Sequence, residues 1–257
     1  MKTTDALNSI EVKSPKTLFK NPNTTDLFYG KDQPGAFQKD AHGTDIFTSG
    51  INQTTDWTTK QVNYHWNSLG LRGPEPDYSA DNKILFAGGS FSVGTGVSVE
   101  DSFPYILAKK LNASYINLSD ADTMSDLIDP LKKFAAFNPN TVIISDTRFI
   151  QLYGWVLIDI FKVRNIEGNN LYKQVFLECD RNFLLMFEAY LKNLFPSATL
   201  VLAYCARRAF KMTMPEFEHF KVVRLEKTEM MDLARDNAHP GIKTHEAFAN
   251  KIYTSII

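Results

Sequence analysis

The chain has 257 residues, 44% of them hydrophobic and 22% charged, and 28 Lys+Arg against 29 Asp+Glu give a formal net charge of −1. This is the make-up of an ordinary globular chain long enough to bury a core. It excludes general disorder, and with no basic run it predicts no nucleic-acid partner. The polar stretch Met1 to Ile10 lacks the apolar core of a signal peptide. The most apolar stretch, Phe149 to Phe161, is broken by Gln151, Gly154 and Asp159. The expectation is a soluble protein with no membrane partner.

In chain order, residues 1–60 read as an extended polar arm, rich in Thr, Asn, Asp, Lys and Gly and broken by Pro15, Pro22 and Pro34. Single aromatics recur in it at Phe19, Phe28, Phe37, Phe47 and Trp57, the pattern of an arm docked on a surface of its own domain or of a partner, in a homo-oligomer or larger assembly. Residues 61–257 read as one domain. From Lys83 short apolar runs alternate with amphipathic segments, the signature of βαβ units. Strands are expected at Lys83–Ala87, Ser114–Leu118, Thr141–Ile144, Thr199–Tyr204 and Lys221–Leu225. Helices are expected after Asp101 or Ser102, from an Asp129 cap with Pro130 at the first helical position, over Arg181–Phe195 and over Thr244–Ile256. Together they predict an α/β fold: a three-layer α/β/α sandwich with a flavodoxin-like, doubly wound parallel sheet. Such sheets bind ligands beyond the C-terminal ends of their strands.

Two of the loops at that edge carry chemistry. Gly88-Gly89-Ser90 leaves the first strand, and the glycines allow a sharp turn that presents a serine at the sheet edge. Asp236-Asn-Ala-His239-Pro-Gly241 precedes the last helix, with a carboxylate one turn before an imidazole, so that Nδ1 can be held while Nε2 faces outward. His42, His65, His219 and His245 have no metal-ligand spacing and read as surface or structural. Cys179 and Cys205 lie in apolar surroundings and read as two buried thiols.

The segment Ile84 to Leu111 resembles the first block of the SGNH (GDSL-like) hydrolases, and Asp236-x-x-His239-Pro-Gly resembles their last block. Asn67-Ser-Leu-Gly-Leu-Arg72-Gly is similar to the N-x-x-G-x-R-G segment found just upstream in such domains. The resemblance spans residues 63–257 and leaves the arm unexplained. It implies an ester hydrolase of that fold, with Ser90 as nucleophile, His239 as general base and Asp236 as its orienting acid, working without cofactor or metal. The implied substrate is a small acyl ester, such as an acetyl ester on a carbohydrate.

The chain departs from the family pattern at three points. Gly89 stands where the family has Asp. Ser119 stands where the second block offers a glycine N–H, so the expected donors to an oxyanion are the N–H groups of Ser90 and Ser119. The third block's Gly-x-Asn is replaced by Ser145-Asp146-Thr147-Arg148, leaving Arg148 as the candidate for the missing donor. Asn67, Arg72 and Glu75 read as shaping a turn. Two other functions stay open at this point: a weak or inactive domain of the same fold serving in glycan binding or assembly, and a flavodoxin-like phosphate binder using the Gly88–Gly96 loop.

Overall fold

The structure, a computed structural model, describes residues 20–27, 62–119, 121, 125–145, 170–205, 215–226, 229–232, 234 and 239–257. Five parallel strands form the central sheet: β3 (Lys83–Gly88), β4 (Ser114–Ser119), β5 (Thr141–Ser145), β6 (Thr199–Cys205) and β7 (Phe220–Leu225). Their order, β4-β3-β5-β6-β7, reverses direction at β3, and all four pairings are parallel. Each strand lies within a residue or two of the expected one. Runs such as Ile84-Leu-Phe-Ala87 and Val142-Ile-Ile144 are buried on both sides, which is why they read as continuous apolar segments rather than alternating ones.

Helices cover both faces, making three layers. On one face α2 (Phe103–Lys110) and α5 (Ile242–Ile256) bury Phe103, Leu107, Phe248 and Ile252 against Ile84, Phe86, Ile143 and Val201. On the other, α3 (Ile128–Lys133) and α4 (Asn170–Leu194) bury Leu131, Leu184, Phe187 and Leu191 against Leu85, Leu118, Ile144 and Leu202. Successive side chains of each strand alternate between these two cores, Leu85 and Ala87 in one and Ile84 and Phe86 in the other, as the pleat requires. Among the described residues no helix is long and apolar enough to cross a membrane.

Three details differ from expectation. Helix α3 starts at Ile128, because a 3-10 turn at Ser125–Leu127 runs straight into it. Pro130 is therefore the third helical residue, where its missing N–H removes no intrahelical bond. Helix α4 starts at Asn170 instead of Arg181 and runs 25 residues; no Gly or Pro interrupts it before Pro196. A one-turn helix, α1 (Ser90–Val93), follows β3 after Gly89, where the sequence carries no helix signal.

Part of the arm is built into the domain. Strand β1 (Thr25–Leu27) pairs antiparallel with β2 (Asn63–His65). The Trp66 N–H donates to the Thr24 carbonyl at 2.9 Å and the Lys20 N–H to the Gly70 carbonyl at 2.9 Å. The aromatics Phe19, Phe28, Phe37, Phe47 and Trp57 lie outside the described residues.

Candidate active site

The C-terminal edge of the sheet is crossed by one row of residues in register: Ser119 of β4, Gly88 of β3, Ser145 of β5 and Ala203 of β6. Gly88 must be glycine, because a Cβ there would collide with the Ser145 carbonyl oxygen and with the hydroxyls of Ser92 and Ser145. That close approach lets α1 sit directly on the strand ends. The Ser92 hydroxyl is hydrogen-bonded to that of Ser145, and the Asn117 amide donates to the Ser92 carbonyl at 3.0 Å. The Ser119 hydroxyl in turn donates to Asn117 Oδ1. The first helical turn after β3 is thus fastened to both neighbouring strands, with Ser90, half-buried, at its start.

Across from it stands His239. Its Nε2 lies 2.7 Å from the Ser90 Oγ, joining two segments 149 residues apart. The imidazole is half-buried and leads into α5 through Pro240 and Gly241. Its segment is pinned at both ends: the Ala234 N–H donates to the His239 carbonyl at 2.7 Å and the Gly241 N–H to the Asp232 carbonyl at 3.0 Å. The sequence pattern does not single out Asp232 or Thr244, yet they hold this loop. Asp232 is fully buried, and its carboxylate accepts the N–H groups of Lys243 at 3.0 Å and Thr244 at 2.9 Å. These are orphan donors of the first turn of α5, whose own cap residue is a glycine with no side chain to offer. The Thr244 hydroxyl donates to Asp232 Oδ1 at 2.9 Å and receives the Met231 N–H at 3.0 Å. An acid just upstream of a helix start was the only available signal, and it did not say which N–H groups the acid would meet.

His245, one turn into α5, is a structural histidine. It is fully buried between the rings of Phe91 and Phe103, with centroids 4.6 and 6.0 Å away, and its Nδ1 accepts the Phe103 N–H at 3.1 Å. Burial, with the Arg72 charge as a second cause, pushes its pKa down to about 3. The ring is therefore neutral, and Nδ1 as acceptor leaves the proton on Nε2.

Of the five residues singled out from sequence, the structure brings Ser90 and His239 into contact and places Ser119 at the neighbouring strand end, with its hydroxyl committed to Asn117. Asp236 and Arg148 lie outside the described residues. Asn67 and Glu75 do shape a turn. Asn67 Oδ1 accepts the N–H groups of Leu69 and Leu71 at 3.0 and 3.1 Å. The Glu75 carboxylate takes the hydroxyl and N–H of Ser68, which hold its pKa below the usual carboxylate range.

A hydroxyl within hydrogen-bonding distance of an imidazole nitrogen, at the edge where parallel α/β sheets expose ligands, can transfer its proton as it attacks an electrophile. No family model matches this sequence, and no curated protein matches it either. Solved structures similar to it include esterases and lipases. A family two carbohydrate esterase from Clostridium thermocellum, in complex with cellohexaose, overlaps with a TM-score of 0.43 at 14% identity, over 72% of this chain and 66% of that one. A carbohydrate esterase family 2 enzyme with a carbohydrate-binding domain, from Myceliophthora fergusii, gives 0.49 at 13%, over 73% and 68%. A lipase from a goat rumen metagenome gives 0.48 at 14%, over 68% and 97%. Overlaps this loose add nothing to the strand order and register, which define the fold by themselves.

Proposed function

We propose that the chain is a serine ester hydrolase acting on a small acyl ester, an acetyl ester of a carbohydrate being the leading candidate. The observation that supports this most is the 2.7 Å contact between Ser90 Oγ and His239 Nε2. In this reading the Ser90 hydroxyl attacks the ester carbonyl while its proton passes to Nε2. The tetrahedral oxyanion forms beside the N–H groups of Ser90 and Ser119, with Arg148 as a third donor. Collapse expels the alcohol, which takes the proton back from the imidazolium, and leaves an acyl-serine. Water then attacks the acyl carbonyl with His239 again as base, and collapse breaks the bond to Ser90 Oγ, which takes the proton back from the imidazolium as the carboxylic acid leaves. Asp236, three residues before the base, is assigned the second ring nitrogen, keeping Nε2 free of its proton in the resting state. The steps call for no cofactor. The acyl group and its carrier come from the resemblance of the first and last sequence blocks.

Turnover of a p-nitrophenyl ester panel and of acetylated oligosaccharides tests this reading, with Ser90→Ala as control. We expect activity on short acyl chains that Ser90→Ala lacks. Activity retained by Ser90→Ala removes Ser90 as nucleophile, and no turnover of any ester favours a binding or assembly role on the same fold.

A further inference from the structure

Ser90 sits on a loop that is fixed from a direction its own motif does not reveal. After α1 the chain turns through Gly94 and Gly96, at φ 75° and 81°, conformations that side chains rarely adopt. This directs the carbonyls of Val93, Gly94 and Val97 inward, and all three end on one side chain. The Arg72 guanidinium donates from Nη1 to Val93 O at 2.6 Å and Gly94 O at 2.7 Å, and from Nη2 to Val97 O at 2.6 Å. Arg72 is 2% exposed, and its guanidinium lies 3.8 Å over the ring of Tyr64. The Tyr64 hydroxyl accepts the Gly96 N–H at 2.8 Å.

Every N–H of residues 93–97 is also placed. Val93 donates to Gly89 O, Gly94 to Phe91 O, Thr95 to Ser90 O, Val97 to Gly94 O, and Gly96 to Tyr64. The Thr95 bond, 3.0 Å, ties the loop to the carbonyl of Ser90 itself. A planar fork with fixed donor directions can gather three carbonyls; an ammonium on a flexible stem cannot reproduce that geometry. Tyr64 and Trp66 further belong to a small apolar cluster with Val97 of the Ser90 loop and with Ala234 of the His239 segment. The same residues therefore lie under both halves of the Ser90–His239 pair.

We propose that Arg72, covered by Tyr64, is a positioning residue: it sets the reach of Ser90 to His239 by holding the carbonyls of the loop behind the nucleophile. This rests on the hydrolase reading above. Removing the clamp shifts Ser90 without touching any group that meets substrate, so the chemical step slows while binding is kept. A misplacement of about 1 Å costs on the order of 10² in rate.

The test is covalent labelling of Ser90 by a fluorophosphonate, with kinact and KI measured per folded molecule. Arg72→Lys is expected to lower kinact on the order of 10²-fold and leave KI unchanged. Tyr64→Phe keeps the ring and removes only the hydroxyl, and is expected to lower kinact by about 5-fold. Leu191→Ala, in α4 on the far side of the sheet, destabilises the fold without touching the loop and should label at the wild-type kinact. Wild-type kinact in a folded Arg72→Lys, or an equal loss in Leu191→Ala, overturns the proposal. Should Arg72→Lys fail to fold, wild-type kinact in Tyr64→Phe overturns it alone. A wild-type chain that takes no label removes the hydrolase reading and this role together.

Discussion

The segment carrying Ser90 and the segment carrying His239 are immobilised in opposite ways. The His239 loop is held locally: Asp232 and Thr244 lie within twelve residues of one another and close the loop across its base. The Ser90 loop is held from afar, by Arg72 twenty-one to twenty-five residues earlier, by Asn117, and by Ser145 fifty-three residues on from Ser92. A serine and a histidine that must meet within a hydrogen bond need both ends fixed, and the two solutions make different demands. The local clamp depends on a helix N-terminus and one carboxylate, whereas the distant one depends on the whole sheet being assembled.

Breaking the local clamp should have the largest effect. Asp232→Ala leaves the N–H groups of Lys243 and Thr244 without their acceptor beside a fully buried position, and leaves the Thr244 hydroxyl only the main-chain carbonyl of residue 232. The expected loss is about 3 kcal/mol in urea unfolding, together with slower labelling of Ser90. A variant that melts like wild type would show that Asp232 is not what holds the loop.

Next comes the distant clamp at its tightest point. Gly88→Ala forces a methyl against Ser145 and Ser92, and is expected to cost about 1–3 kcal/mol in the same measurement.

His245 bridges the two regions, since it lies in α5 and packs against Phe91 beside Ser90. Its folded pKa is depressed to about 3, from an ordinary 6.5, so the unfolded chain binds the extra proton first. Its contribution is fully present above pH 6.5 and is lost as pH falls toward 3. The loss between pH 7 and pH 5 is about 2 kcal/mol. His245→Gln should flatten the stability-pH curve over that window by this amount, read from urea midpoints at each pH. An unchanged slope would place the acid sensitivity elsewhere.

Deleting residues 1–60 should do least. It removes β1 and the Thr24 carbonyl that accepts the Trp66 N–H, a loss of about 1 kcal/mol in a thermal melt. A loss on the scale of Asp232→Ala would make the segment part of the core.

The same contrast explains what the sequence revealed. The five strands were legible because continuous apolar runs between turns have few other uses in a βαβ chain, and Ser90 and His239 were legible because their turn glycines and proline sit in short local patterns. Arg72 was visible as part of a motif but not as a clamp, because its partners are backbone carbonyls and carry no residue identity. Asp232 escaped for a similar reason: its acceptors' partners are N–H groups of Lys243 and Thr244, which any residue there would supply. The start of α3 was misplaced because the 3-10 turn ahead of it supplies helical backbone before the Asp129-Pro130 signal. The arm's pairing was hidden because three residues of strand in a polar stretch leave no periodicity to find.

The central claim is that His239 makes Ser90 a nucleophile across the sheet edge. The most direct measurement is peptide mass spectrometry of the folded protein after fluorophosphonate treatment, in wild type and in His239→Ala. The account predicts a single adduct on the peptide containing Ser90, forming on the order of 10³-fold more slowly in His239→Ala. An adduct on another serine, or equal labelling of Ser90 in both proteins, would contradict it.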